Sequence, residues 1–194
     1  MDPRLVTVET LLKVVRDQQS LPTATTLTVA QVSVENRPLY RQMCYGLLRH
    51  YWSLKKIAAL LLAKPLPAKH ADIELLIMLG LYQIQFLGIP DHASVSRTVE
   101  VASALGKNWA KGLVNGVLRR FIRDRSSLFL QLQEDPEFRY AHPGWLISMI
   151  QQAWPVQYER ILQDNNLQAP LTLRVNQRVI DRDAFDPFPG PPRR

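Results

Sequence analysis

A single cysteine, Cys44, is all the sequence holds, so an internal disulfide is excluded and the chain fits a reducing compartment. Long hydrophobic runs are missing too. The longest apolar stretch, LLIMLGLY from Leu75 to Tyr82, falls far short of the roughly 20 residues of a membrane span. The N-terminus, MDPRLVTVETLL, meets an acidic residue at once and has no apolar stretch of signal length, so no export signal is expected. A soluble, cytoplasmic protein without a membrane contact is the expectation. Catalytic patterns are absent as well. His50, His70, His92 and His142 show no metal-ligand spacing. There is no glycine-rich phosphate loop and no GxGxxG after a strand. Cys44 stands among apolar neighbours, the setting of an inert core thiol. No catalytic residue, metal ligand or cofactor site is expected within the chain.

What the sequence does have is unevenly distributed charge. Residues 36–125 carry 14 Lys/Arg and 5 Asp/Glu, a local charge of +9, while the remainder carries −2 of the total of +7. A basic middle is the footprint of a polyanion partner, although a solvated basic surface gives the same count.

Helical patterning dominates. Leu5, Val8, Leu11, Leu12 and Val15 recur at helical spacing and predict an amphipathic helix over about residues 4–18. A weaker one follows at Leu21, Leu27 and Val32. Asn36 suits an N-cap and Pro38 a first turn, opening a long helix to about Ala63 that is broken near Ser53, if at all. The segment DIELLIMLGLYQIQFLG is apolar almost all round, which suits the centre of a bundle. Asp91 caps the next helix, Gly106 stops it, and another runs from about Asn108 to Asp124. SLFLQLQ reads as a separate short helix, followed by Pro143 to Ala153 and Pro155 to Asn165. LTLRVN, Leu171 to Asn176, alternates apolar and polar residues as a strand does.

The expected architecture is therefore all-α. A helical bundle over 1–140 precedes a helical connector and the first strand of an incomplete α/β region over 141–185. DPFPGPPRR, with four prolines in nine residues, predicts a disordered tail over 186–194.

Two helices could present a functional surface. Between Leu39 and Leu62, Tyr40, Met43, Leu47, Tyr51, Leu54, Ala58 and Leu61 share one side. Arg41, Tyr45, Arg49, Trp52 and Lys56 fall within roughly an 80° arc opposite, at 100° per residue. Cations alternating with aromatic rings suit single-stranded nucleic acid, with the cations on phosphates and the rings on bases. Alternatively, the rings cover a neighbouring helix, and a kink near Ser53 would displace Trp52 and Lys56 from the stripe. The second surface is GLVNGVLRRFIR, Gly112 to Arg123. Leu113, Val114, Val117, Leu118, Phe121 and Ile122 fill a core half, and Gly112, Gly116, Arg119 and Arg123 lie on the other. Glycines one turn apart leave room for a phosphate backbone beside the arginines, or for a second helix packed close. The preferred reading gives this helix both jobs, core on one side and polyanion contact on the other. The candidate RNA contacts are thus Arg41, Tyr45, Arg49, Trp52 and Lys56, together with Lys107, Lys111, Arg119, Arg120 and Arg123.

Three blocks, RPLYRQMCYGLLRHYWSLKKIAALLLAKPL, IELLIMLGLYQIQFLGIPDHASVSRTVEVASALG and KGLVNGVLRRFIR, resemble the NusB-type RNA-binding domain. They are more closely similar to the N-terminal part of bacterial 16S rRNA cytosine-C5 methyltransferases of the RsmB, or Sun/Fmu, type. HPGWLISMIQQAWPVQYERILQDNNLQAPLTLRVNQ resembles the connector that follows there. The resemblance implies a NusB-like helical domain that binds small-subunit rRNA and precedes an S-adenosylmethionine-dependent catalytic domain. In such enzymes one cysteine attacks C6 of the target cytosine and a second assists release. This chain stops where that domain should begin, so Cys44 is not carried over as a nucleophile and the chain alone is expected to be inactive. The proline-rich ending departs from the family and implies a truncated or frame-shifted reading, or a deliberately shortened chain. Ser96-Arg97 replaces a common Asn-Glu pair, so no site residue is carried over there. A second expectation is an interaction module resembling the antitermination factor of the same family, working with a ribosomal-protein partner through the Tyr45/Trp52 stripe.

Overall fold

The structure, a computed structural model, describes residues 1–167, 173–179, 181 and 184. Ten α-helices succeed one another among them, with three short 3-10 turns between. α1 (Pro3–Val15) begins at Asp2, whose carboxylate accepts from the Arg4 amide at 2.7 Å. α2 (Leu21–Thr28) begins at Ser20, whose hydroxyl accepts from the Thr23 amide. Both have proline in the first turn, where a missing N–H costs nothing. α3 (Arg37–Arg49) and α4 (Tyr51–Leu61) follow, then α5 (Ala71–Phe86), α6 (Asp91–Ala104) and α7 (Ala110–Leu132). α8 (Pro136–Tyr140), α9 (Gly144–Ala153) and α10 (Tyr158–Asn165) complete the described helices.

α5 is the axis of the bundle. Every residue from Leu75 to Ile84 is buried, as its unbroken apolar circumference requires. α1, α3, α4, α6 and α7 pack around it. Each large aliphatic side chain it buries contributes on the order of 1.5–3 kcal/mol. The polar exception is Gln83, which accepts from Arg4 Nε at 2.7 Å and donates to Thr98 Oγ1 at 3.1 Å. A second polar cluster joins α1, α2 and α3, where the Tyr40 hydroxyl lies 3.0 Å from Thr10 Oγ1 and 2.7 Å from Thr28 Oγ1. Buried hydroxyls satisfied by one another keep these helices in register.

Several local features differ from the sequence expectation. Asp91 is the first residue of α6 and not its cap, which is Pro90 without a side-chain cap bond, and the helix expected from Pro155 begins at Tyr158. The long helix breaks at His50 (φ −104°, ψ 16°) and not at Ser53. There the imidazole stacks on Phe86, with ring centroids 4.1 Å apart and planes at 12°. Ser53 continues α4 and donates from its hydroxyl to the Phe138 carbonyl at 2.6 Å. α7 does not stop near Asp124 but runs on through SLFLQL as one helix of 23 residues. No glycine or proline interrupts that stretch, and Leu128 and Leu132 stay on the buried side. Finally, no strand is present among the described residues. The strand expected over Leu171–Asn176 is not seen in its described part, 173–176, where no partner strand stands among the described residues to complete a ladder. Leu171, Thr172 and the expected tail over 186–194 lie outside the described residues.

α8 and the helices beyond it are fastened to α4. Lys56 Nζ lies 3.0 Å from Asp135 Oδ2 and 2.9 Å from Glu137 Oε2. Ala141 turns the chain in a left-handed conformation (φ 56°), and a small core of Tyr140, Ile147 and Leu162 joins α8, α9 and α10.

Candidate nucleic-acid interface

The α3 side of the site is dictated by helical spacing. Arg41, Tyr45 and Arg49 stand at i, i+4 and i+8 on the face opposite Tyr40, Met43, Cys44 and Leu47, which are buried. Arg41 and Arg49 are exposed, and neither is paired with a carboxylate among the described residues. Tyr45 is 47% exposed, too open to serve as a cover for a neighbouring helix. α2 adds Pro22, Thr25 and Thr26, which line one shallow depression with Arg41 and Tyr45.

Beyond the His50 break the stripe divides. Trp52, half-buried, still shares a second depression of about 410 Å³ with Tyr45 and Arg49. Lys55 Nζ lies 5.4 Å from the Trp52 ring centroid, a cation–π contact. Lys56, by contrast, turns to Asp135 and Glu137, and that double pairing holds its pKa above the usual lysine range. His50 is drawn below the usual histidine range by burial and then by the neighbouring Arg49 cation. It is therefore a neutral ring at neutral pH.

The α7 side is a separate surface, with α5 packed between it and α3. Nothing lies within 4 Å of where a Cβ would stand at Gly112 or at Gly116. No helix is packed against these glycines, and the groove they leave is open. Lys111 and Arg119 flank it without an ion pair among the described residues, and Arg119 Nε donates to Asn115 Oδ1 at 3.0 Å. Arg123 is held by Asp124 at 2.8 Å, and Arg120 reaches the same carboxylate at 3.6 Å. Lys107 is the most committed of the ten candidates. It lies 2.5 Å from Asp72 and is mostly buried there, and it also donates to the Lys69 carbonyl at 3.3 Å.

Three lining residues escape sequence reasoning. His142, Asn165 and Asn166, from the start of the connector and the end of α10, border the depression of Tyr45, Arg49 and Trp52. Their only sequence signal is a pair of amides at a helix C-terminus, which is also what an ordinary helix stop looks like.

Cys44 is wholly buried. Burial pushes its thiol up to about 11, against the hydrogen bonds of Tyr40 and Thr7, so the thiolate needed for nucleophilic chemistry is not available. No group of His, Cys, Asp and Glu among the described residues could hold a metal ion. No helix there is long and apolar enough to cross a membrane.

Comparison with known proteins agrees with this architecture. A family model described as "NusB family" matches residues 1–123. One described as "Methyltr_RsmF/B-like, ferredoxin-like domain" matches residues 142–185. The ribosomal RNA small subunit methyltransferase B of Pseudomonas syringae pv. tomato is 40% identical over 185 residues, 95% of this chain and 41% of that protein. The probable ribosomal RNA small subunit methyltransferase B of Coxiella burnetii is 43% identical over 185 residues, 95% of this chain and 42% of its own length. That of Erwinia tasmaniensis is 40% identical over 184 residues, 94% of this chain and 42% of its length. The chain thus spans well under half of these relatives. With the helical bundle of residues 1–123 matched throughout, the chain belongs to the NusB family.

Proposed function

We propose that the chain is an RNA-holding module, whose α3 and α7 faces grip small-subunit ribosomal RNA for methylation carried out by another domain. The carrying observation is a set of exposed cations that no carboxylate among the described residues neutralises, namely Arg41, Arg49, Lys111 and Arg119, beside a glycine groove open to a phosphate backbone. Arg123 and Arg120 add to the groove side, and Tyr45 and Trp52 supply ring faces for unstacked bases. Lys56 and Lys107 act mainly within the fold. The RNA-holding unit is the bundle over 1–140, and residues 141–185 lead from it towards the catalytic part. The protein works in the cytoplasm, where its RNA is assembled.

Methyl transfer to cytosine C5, the reaction that the resemblance implies, would need S-adenosylmethionine and a reactive cysteine. The described residues offer no strand-to-helix glycine turn to cradle that cofactor, and Cys44 is a core thiol. The chain by itself is therefore expected to have no turnover. The test is fluorescence anisotropy with a labelled small-subunit rRNA hairpin across a salt series. Saturable binding whose logarithm falls with log salt, by about 0.7 per phosphate neutralised on single strands, is the expected result. No saturable binding even at low salt would overturn the reading.

A protein-interaction module is the second reading. It is favoured by Trp145 and Met149, exposed by 68% and 54% one turn apart on α9. That reading expects tight RNA binding only after a protein partner has been added.

A further inference from the structure

The depression between bundle and connector is built from both parts of the chain. Tyr45, Arg49 and Trp52 come from α3 and α4, whereas His142, Asn165 and Asn166 come from the connector. Residue 142 is the first of the ferredoxin-like match, so the depression belongs to neither family match alone.

Its polar wall is fixed in orientation. His142 is 6% exposed, and its Nδ1 faces the Tyr140 carbonyl oxygen. A carbonyl only accepts, so Nδ1 carries a proton, and in the neutral imidazole Nε2 then presents its lone pair. Asn165 Nδ2 donates to that lone pair at 2.7 Å. The amide is thereby oriented, and its Oδ1 has no hydrogen-bond partner among the described residues. Asn166 is set in the same way, donating from Nδ2 to the Tyr140 carbonyl at 2.7 Å. Clamping by Lys56 keeps this wall against α4.

A ring-bearing wall, an arginine without a carboxylate partner among the described residues and an oriented amide acceptor form a complementary set. We propose that this depression is a subsite for one unpaired nucleobase carrying an exocyclic amino group. Tyr45 and Trp52 hold the base by its faces, Arg49 meets its phosphate, and Asn165 Oδ1 accepts from its amino group. The connector then shares in recognition and does more than join two domains. This inference rests on the RNA-holding reading above. Stacking on an aromatic side chain is sequence-tolerant, so discrimination among bases falls to Asn165.

The experiment compares two labelled hairpins of equal length, one fully paired and one with a single bulged adenine. A third hairpin carries unsubstituted purine, which lacks the amino group, at the bulge. The protein is expected to bind the adenine bulge about tenfold more tightly than the paired hairpin. It should also prefer adenine over purine at that position. Asn165→Ala should abolish the adenine-over-purine preference and leave the affinity for the paired hairpin unchanged. Trp52→Leu should remove the preference for the bulge, and Trp52→Phe should restore most of it. Equal binding of all three hairpins by the wild-type chain overturns the subsite while leaving the RNA-holding reading intact. Asn165→Ala weakening all three alike also overturns it, since that is the mark of a structural residue. No binding of any hairpin at low salt overturns both readings.

Discussion

Gly46 lies directly against Tyr82, so close that a Cβ at position 46 would stand 1.8 Å from the Tyr82 hydroxyl oxygen. This contact sets how near α3 comes to α5, and with it the tilt of the stripe that carries Arg41, Tyr45 and Arg49. The same hydroxyl donates to the Gln42 carbonyl at 3.3 Å, so the ring cannot swing aside without losing a bond.

Gly46→Ala should therefore destabilise the protein by about 1–3 kcal/mol, the usual cost of overpacking. Gly116→Ala has the opposite sign. It lies inside α7 with open space around it, so alanine should stabilise the helix by about 0.5–1 kcal/mol. If a phosphate backbone uses the groove, Gly116→Ala will also weaken RNA binding. Urea unfolding and anisotropy on the two variants check both statements. A Gly46→Ala protein as stable as the wild type would mean that the α3–α5 crossing is looser than described.

The second prediction concerns how the connector is held. Lys56, followed by the Gly144 amide, draws the Glu137 carboxyl below its usual range. For Asp135 the largest influence, burial, acts upward, but Lys56 and the Phe138 and Glu137 amides together outweigh it and the net direction is down. A folded-state value below the unfolded one contributes stability that is present above the usual carboxylate range. That contribution is lost as pH falls through the lowered values. The attachment of α8 to α4 should accordingly loosen on acidification below about pH 4. Hydrogen exchange of the Phe138–Tyr140 amides should then speed up relative to those of α5. Lys56→Met should bring that loosening to neutral pH. Unchanged protection in the variant would show the clamp to be ornamental.

How much of this could be read in the sequence depends on the range over which each feature is decided. α5 announced itself, because an all-round apolar helix has one place to go. The Arg41, Tyr45 and Arg49 stripe was legible for the same reason, three residues at helical spacing on one unbroken element. The break at His50 was not, since it accompanies stacking on Phe86, a partner far along the chain. Nor could spacing reveal that Lys56 and Lys107 face carboxylates supplied by other elements. The strand pattern of LTLRVN obeyed the alternation rule, yet no neighbouring strand is described to complete a ladder. His142, Asn165 and Asn166 carry chemistry only through tertiary placement, and no periodicity encodes that.

The third prediction tests the core around Cys44. With its thiol pushed up to about 11 and the side chain wholly buried, labelling by a disulfide reagent at pH 8 should be limited by opening of the fold. The labelling rate should rise with urea in step with unfolding. Stoichiometric labelling of the native protein within seconds would contradict both the burial and the inert role given to this cysteine.

The last prediction separates the cations that face outward from those used by the fold. Among the described residues Arg41 and Arg49 are unpaired on α3, and Arg119 beside the open groove bonds only the neutral Asn115. Reversing Arg41 and Arg49 together to Glu should lower RNA affinity by about tenfold or more at moderate salt and flatten the salt slope, with little change in unfolding midpoint. Arg119→Glu with Arg123→Glu should act similarly from the α7 side, although Arg123 already spends part of its charge on Asp124. Lys107→Met should behave in the reverse way. It leaves Asp72 without its partner in a mostly buried position, costing about 1–3 kcal/mol of stability, while RNA affinity per folded molecule stays within about twofold. Paired measurements of unfolding and anisotropy on the same preparations distinguish the two patterns. If Lys107→Met weakened RNA binding as much as the Arg41/Arg49 reversal, ion pairing would be no guide to which cations meet phosphate.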